Sequence, residues 1–154
     1  MKPYDKIIEL LQFNGIFYQE FRHDPVYSTE DAAKIRGLSL DEGAKSLLIK
    51  AKNEFVLVVL SGSKKLDSKK LKKSLGVREL RFATPAEVNQ QMGCLVGACY
   101  PFGSLCQLQT YVDKSLINQS NISLNPGVHH KSLRIELIDF LQIESPLQVD
   151  IAAN

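Results

Sequence analysis

A chain of 154 residues, 44% hydrophobic and 23% charged, is one domain's worth of ordinary globular protein, long enough for a single sizeable core. No apolar run approaches the roughly 20 residues of a membrane span, Met1–Asp5 lacks a signal-peptide core, and three cysteines (Cys94, Cys99, Cys106) make no secreted disulfide framework; a membrane protein is excluded and a reducing cytoplasm expected. The net charge of +2 is unevenly spread: eight cations between Lys64 and Arg81 face only Asp67 and Glu79, a local +6 that leaves −4 for the rest, so an anionic partner on one side competes with a merely solvated lysine face.

Tyr4 to Phe13 carries Ile7, Ile8, Leu10 and Leu11 at helical spacing and stops at Asn14-Gly15. Ile16 to Phe21 reads as a strand. Ser28-Thr29-Glu30-Asp31 opens a second helix that ends near Gly37. Lys45 to Ala51 and Phe55 to Leu60 read as two strands around a turn at Lys52-Asn53-Glu54. Asp67 caps a short basic helix that turns Leu71 and Leu75 inward and stops at Gly76. Thr84-Pro85-Ala86-Glu87 combines an N-cap, a proline at the first helical position and a capping-box glutamate, for a helix to about Gln91.

The segment after that helix, Gly93 to Gly103, places three glycines and Pro101 among apolar residues. Glycine permits positive φ and close backbone approach, so such a segment offers main-chain N–H groups to an oxyanion or phosphate. It contains neither G-x-G-x-x-G nor G-K-[ST], and by itself a barrel corner or bulge is the plainer reading. Beyond it, Leu105 to Val112 reads as a strand, Asp113 to Asn118 as a turn or short helix, Asn121 to Leu124 and Leu133 to Leu137 as strands, and Ile138 to Leu141 as a last helical turn. Short helices among hairpin-like strands predict a mixed α/β fold, a single domain over 1–154, without linker or repeat.

Five stretches in order carry a resemblance: Gly43-Ala44-Lys45-Ser46-Leu47-Leu48; Ser61-Gly62-Ser63-Lys64-Lys65-Leu66-Asp67; Ala83-Thr84-Pro85-Ala86-Glu87; Gly97-Ala98-Cys99-Tyr100-Pro101 with Phe102-Gly103; and Asn125-Pro126-Gly127-Val128-His129-His130. Over roughly 37–141 the chain resembles the YbaK/ProX family of trans-acting aminoacyl-tRNA editing domains, related to the insertion domain of bacterial prolyl-tRNA synthetase. The resemblance implies a curved mixed sheet, or pseudo-barrel, wrapped by short helices. It implies hydrolysis of the ester of mischarged tRNA, with no metal, no cofactor and no covalent nucleophile. Lys45 is then the catalytic side chain that orients the substrate near the terminal adenosine. Gly97, Ala98, Cys99, Tyr100 and Pro101 offer backbone to the aminoacyl group, with Ser46 and His129 lining its pocket. Lys64, Lys65, Lys69 and Lys73 hold tRNA phosphates. The acceptor end of tRNA is the expected partner, with an aminoacyl-tRNA synthetase as a second.

The chemistry is consistent with those residue types. An aminoacyl ester is already activated, so positioning and oxyanion donors suffice, each donor being worth roughly 3–4 kcal/mol. Read without the resemblance, Lys45 is an edge lysine, and His129 and His130 are surface residues of a Gly-Pro loop. Strand alternation turns Ser46 away from Lys45. Two other readings stay open: a non-catalytic aminoacyl or tRNA-binding module of the same fold, and a thiol hydrolase using Cys99 with His129 or His130. The cysteine spacings match no usual zinc pattern.

Overall fold

The computed structural model describes residues 1–25 and 39–154, so the helix expected from Ser28 to Gly37 lies outside the described residues. Helix α1, Pro3–Phe13, starts with proline in its first turn and buries Ile7 and Leu11, one helical turn apart. Its exit consumes more chain than expected: Gly15 at φ +65 donates to Gln12 and Ile16 donates to Leu11. Strand β1, Gln19–Arg22, therefore begins three residues later than the apolar alternation indicates.

Strands β2, Ala44–Ala51, and β3, Glu54–Ser61, form a full-length antiparallel hairpin, paired from Ala44↔Ser61 to Ala51↔Glu54. Helix α2, Ser68–Leu75, is capped as the sequence requires: Asp67 Oδ1 accepts from the amides of Lys69 (3.0 Å) and Lys70 (3.2 Å), and Gly76 ends it in the left-handed region. Strand β4, Leu80–Phe82, follows and pairs with the end of β2. Helix α3, Pro85–Met92, opens on a complete capping box between Thr84 and Glu87. Arg81 grips the Glu87 carboxylate with two hydrogen bonds of 2.7 and 3.0 Å, which with the Thr84 amide brings its pKa down to about 2.

The strand expected over Leu105 to Val112 is shorter. Gly103–Cys106 is a 3-10 turn, Gln107 takes φ 54, and only Gln109–Asp113 (β5) is extended. Asp113 then caps helix α4, Lys114–Ile117. Strands β6, Asn121–Leu124, and β7, Lys131–Glu136, precede helix α5, Leu137–Glu144, a full two turns where one was expected. Strand β8, Leu147–Val149, follows.

The strands form two sheets. One is antiparallel, in the order β1-β7-β6; the other is mixed, in the order β4-β2-β3-β5-β8, with β3, β5 and β8 parallel. They meet at a bridge between Gly43 and Ser123. Beside it the buried Glu42 carboxylate accepts from Arg134 Nε (2.8 Å), Arg134 Nη2 (3.2 Å) and Ser123 Oγ (2.9 Å), locking the start of β2 to the smaller sheet.

Pleating sorts the β2–β3 hairpin into two faces. Ala44, Leu48, Leu57 and Val59 enter the main core with Ile122, Leu124, Leu133 and Ile135 of the smaller sheet and with α1, α3 and α5. Ile49, Val56 and Val58 face the other way, onto Leu71 of α2 and Ile151. Residues 150–154 close over that second cluster. Ile151 O accepts from Asp67 N (2.8 Å), Ala153 N donates to Lys65 O (2.8 Å), and the buried Asp113 carboxylate holds the amides of Ile151 and Ala152.

Candidate active site

The Gly97–Pro101 loop is a built structure. Leu95 to Ala98 is a β-turn closed by Ala98 N donating to Leu95 O at 3.0 Å, with Gly97 at φ +88 in its third position, which is a type II turn. An L-residue is strained there, which is why the sequence has glycine. Two side chains from the Asn125–His130 loop pin this turn. Asn125 Nδ2 donates to Gly97 O (3.1 Å), while Asn125 Oδ1 accepts from Gly127 N (3.2 Å). His129 Nε2 lies 3.1 Å from Val96 O, so that nitrogen carries the proton. His130 is exposed, and its main-chain oxygen accepts from His23 N. The structure thus separates the two histidines: His129 touches the loop and His130 is spent on backbone pairing with His23.

On the inner side, Ala98, Tyr100 and Phe102 are buried in the main core, and Tyr100 Oη donates to Met92 O at 2.6 Å. Gly103 ends the segment where a Cβ would run into Thr110 Oγ1 and meet the main-chain Leu108 O at 2.8 Å, so no larger residue fits. Of the loop's amides, that of Ala98 is committed to the turn and Pro101 has none. Among the described residues, the amides of Gly97, Cys99 and Tyr100 have no acceptor. Three amides of the loop are thus unspent, and that of Ala98 is not among them.

Lys45 projects from the opposite face of β2, and its Nζ donates to Lys64 O. Burial, with the Lys65 charge as a second cause, lowers its pKa below the ordinary lysine value. Ser46 points to the core face, with its Oγ sealed from solvent and without a hydrogen-bond partner. A buried hydroxyl left so costs roughly 1–3 kcal/mol. Lys64, Lys65, Lys69 and Lys73 are all exposed on the Lys45 side. Lys70 is not available to a partner, because its Nζ reaches Asp150, Ala152 O and Asn154.

Cys94 and Cys99 perturb each other's titration: hydrogen bonding to Cys94 holds the Cys99 pKa down, and hydrogen bonding to Cys99, with burial, raises that of Cys94. Cys106 lies 2.9 Å from Tyr100 Oη, and burial raises its pKa. Sequence reasoning missed the Asn125 pin, a contact between residues far apart in the chain that carries no local signal.

Comparison with known proteins agrees with this architecture. The family model for the aminoacyl-tRNA editing domain matches residues 23–143. The multifunctional Ser/Thr-tRNA deacylase ProXp-y of Escherichia coli (strain K12) is 32% identical over 148 residues, covering 93% of this chain and 89% of that protein. The prolyl-tRNA editing protein ProX of Acetoanaerobium sticklandii is 29% identical over 143 residues, covering 89% and 87%. A crystal structure of a provisionally assigned trans-editing enzyme for prolyl-tRNA synthetase superposes with a TM-score of 0.88 over 100% of this chain and 99% of its own. At 22% identity that likeness speaks to the fold alone. Among the described residues no helix is long and apolar enough to cross a membrane. With a matching family model over most of its length and a full-length relative of the same kind, this chain belongs to the aminoacyl-tRNA editing domain family.

Proposed function

We infer that the protein is an aminoacyl-tRNA deacylase acting in trans, which hydrolyses the ester between a wrong amino acid and the terminal ribose of tRNA. The observation that carries the mechanism is the type II turn pinned by Asn125 and His129, beside which the Gly97, Cys99 and Tyr100 amides have no acceptor. Water attacks the ester carbon, negative charge collects on the carbonyl oxygen, and preorganised N–H donors stabilise it without side-chain reorganisation. The carbon–oxygen bond to the ribose then breaks and the ribose hydroxyl takes a proton. Lys45 acts from the basic side of β2 as the cation that orients the terminal nucleotide, its Nζ held by Lys64 O. Lys64, Lys65, Lys69 and Lys73 meet tRNA phosphates there, where a local +6 attracts them. His129, which holds Val96 O, bounds the acyl side, while Ser46, its hydroxyl sealed in the core, takes no direct part. An aminoacyl-tRNA synthetase that makes the mischarged product is the second partner in this reading.

The test is a panel of mis-acylated tRNAs, headed by seryl and threonyl esters because of the name of the Escherichia coli relative. Turnover of at least one ester that collapses in Lys45→Ala is expected. No turnover of any, or full activity without the Lys45 ammonium, overturns the reading.

A further inference from the structure

The two side chains that hold the Gly97 turn belong to one loop, and that loop is itself held by the first turn of α1. Pro3 stands between the two loops of the site. A Cβ on Gly93, where the glycine segment begins, would lie 3.5 Å from Pro3 Cγ, and one on Gly127 would lie 3.0 Å from Pro3 Cβ. The same position on Gly127 is 3.7 Å from Tyr4 N and 3.6 Å from Tyr100 Cδ1. At the loop's far end, the Lys131 ammonium sits 3.9 Å from the centre of the Tyr4 ring, a cation–π contact. The Tyr4 hydroxyl donates to Glu20 on β1, which fixes the ring in place. Pro3 and Tyr4 thus bracket the loop, one at Gly127 and the other at Lys131. A proline suits the first turn of any helix, so the residue type alone indicates nothing; its contacts on both loops do. All of α1 precedes residues 23–143, the part of the chain that the editing-domain model matches.

We propose that the first turn of α1 is a positioning element of the acyl pocket, in which Pro3 and Tyr4 set where Asn125 and His129 meet the Gly97 turn. His129 lies between the two held residues, Gly127 and Lys131. Asn125 is oriented by Gly127, whose N–H its Oδ1 accepts at 3.2 Å. These two side chains then reach Gly97 O and Val96 O, at 3.1 Å each. Val96 O and the Gly97 N–H share one planar trans peptide, so a hydrogen bond on the carbonyl aims the N–H the opposite way. Close-packed neighbours transmit a displacement rather than absorb it. Without the Pro3 ring the loop has room to move toward α1, and the Gly97 amide turns with it. Neither Pro3 nor Tyr4 touches substrate in this scheme. The catalytic consequence rests on the deacylase reading; the placement of His129 does not.

Full-length variants test it. Pro3→Ala keeps a helix former at the start of α1 but empties the space between Gly93 and Gly127. Tyr4→Leu removes the ring beneath Lys131, while Tyr4→Phe keeps it. Leu10→Ala, about two turns along the same helix, loosens α1 against the core and serves as the control for lost stability. All are assayed well below their Tm, in single turnover on the best ester of the mis-acylated panel. Pro3→Ala and Tyr4→Leu should lose about 10- to 100-fold in rate, the scale of a displacement of up to about 1 Å, with half-saturation by tRNA moved less than about twofold. Tyr4→Phe should recover most of that loss, and Leu10→Ala should lower Tm without it. The His129 imidazole signals, followed by NMR, should shift in Pro3→Ala and Tyr4→Leu and hold in Leu10→Ala. An undiminished rate in Pro3→Ala or Tyr4→Leu, an equal loss in Leu10→Ala, or a Tyr4→Phe protein no better than Tyr4→Leu overturns the proposal. If the wild-type protein hydrolyses no ester, the deacylase reading fails and the NMR signals decide the placement: a His129 imidazole that Pro3→Ala leaves unmoved overturns it as well.

Discussion

Replacing Gly97 with alanine tests whether the loop acts through its main chain. Gly97 sits at φ +88 in the third position of the Leu95–Ala98 turn. Alanine can respond in two ways. It can hold the turn in a left-handed conformation, at a cost of roughly 1–2 kcal/mol. Or the turn can relax from type II to type I by flipping the Val96–Gly97 peptide, which needs no positive φ. The flip withdraws Val96 O from His129 Nε2, now 3.1 Å away, at a net cost of about 0.5–1.5 kcal/mol. Between the two responses the stability loss is about 0.5–2 kcal/mol, a fall in Tm of roughly 1–8 °C for a chain of this size. The rate consequence is larger under the flip, because the Gly97 N–H reverses direction. One lost oxyanion donor is worth roughly 10²–10³ in kcat. Single-turnover deacylation of seryl-tRNA beside thermal denaturation by circular dichroism measures both quantities. A Gly97→Ala protein whose His129 imidazole signals show by NMR that the Val96 O contact is lost, the mark of the flip, and which still keeps its rate within about threefold, refutes the view that this amide, in this orientation, contributes to the transition state.

Because its surroundings lower the Lys45 pKa, the alkaline limb of deacylation, corrected for spontaneous ester hydrolysis, should fall with an apparent pKa below the 10.5 of an unperturbed lysine; a limb at or above that value argues against an ammonium there. Lys69→Glu with Lys73→Glu should weaken tRNA binding and flatten its salt dependence by about 0.7–0.9 per lost phosphate contact in a log–log plot; an unchanged slope removes these lysines from the interface. Thr84→Ala should cost about 1 kcal/mol of stability by chemical denaturation. Glu87, whose carboxyl is depressed from 4.5 to about 2, contributes stability that is present above pH 4.5 and lost as pH falls through about 2, so Glu87→Gln should flatten the acid limb of an unfolding profile over that window. Arg134→Met removes the cation and two hydrogen bonds from the buried Glu42 carboxylate and should cost about 3 kcal/mol, largely restored by adding Glu42→Gln; equal losses in the single and double variants refute the pairing argument.

Where local chemistry dictates structure, the sequence was a sufficient guide. Asp67 and Gly76 bound α2, and Thr84, Pro85 and Glu87 open α3, because caps act over three or four residues and need no tertiary partner. Strands β4 and β8 left no such trace: each is three residues long, largely exposed, and exists only because a neighbouring strand offers its edge. The strand expected across Leu105 to Val112 was cut by Gln107 at φ 54, a conformation its side chain does not announce. At the site, alternation correctly turned Ser46 from Lys45, and the structure adds that the two serve different cores. That Ala98 spends its amide within the turn, and that Asn125 holds Gly97, depends on turn type and a contact far along the chain, neither of which a pattern of residue types encodes.

The closure of residues 150–154 over Lys65 and Asp67 also sets an order of events during synthesis. The carbonyl that holds Lys45 belongs to Lys64, on a loop whose neighbouring residues hydrogen-bond to Ile151 and Ala153. Those contacts are among the most distant in the sequence, and pairings of that kind form late. While residues 150–153 are still inside the ribosome, the β2–β3 hairpin and both capped helices can already form, but the loop beside Lys45 lacks its outer wall. The wall beside the lysine is therefore completed only when residues 150–153 dock, however early the hairpin and the capped helices form.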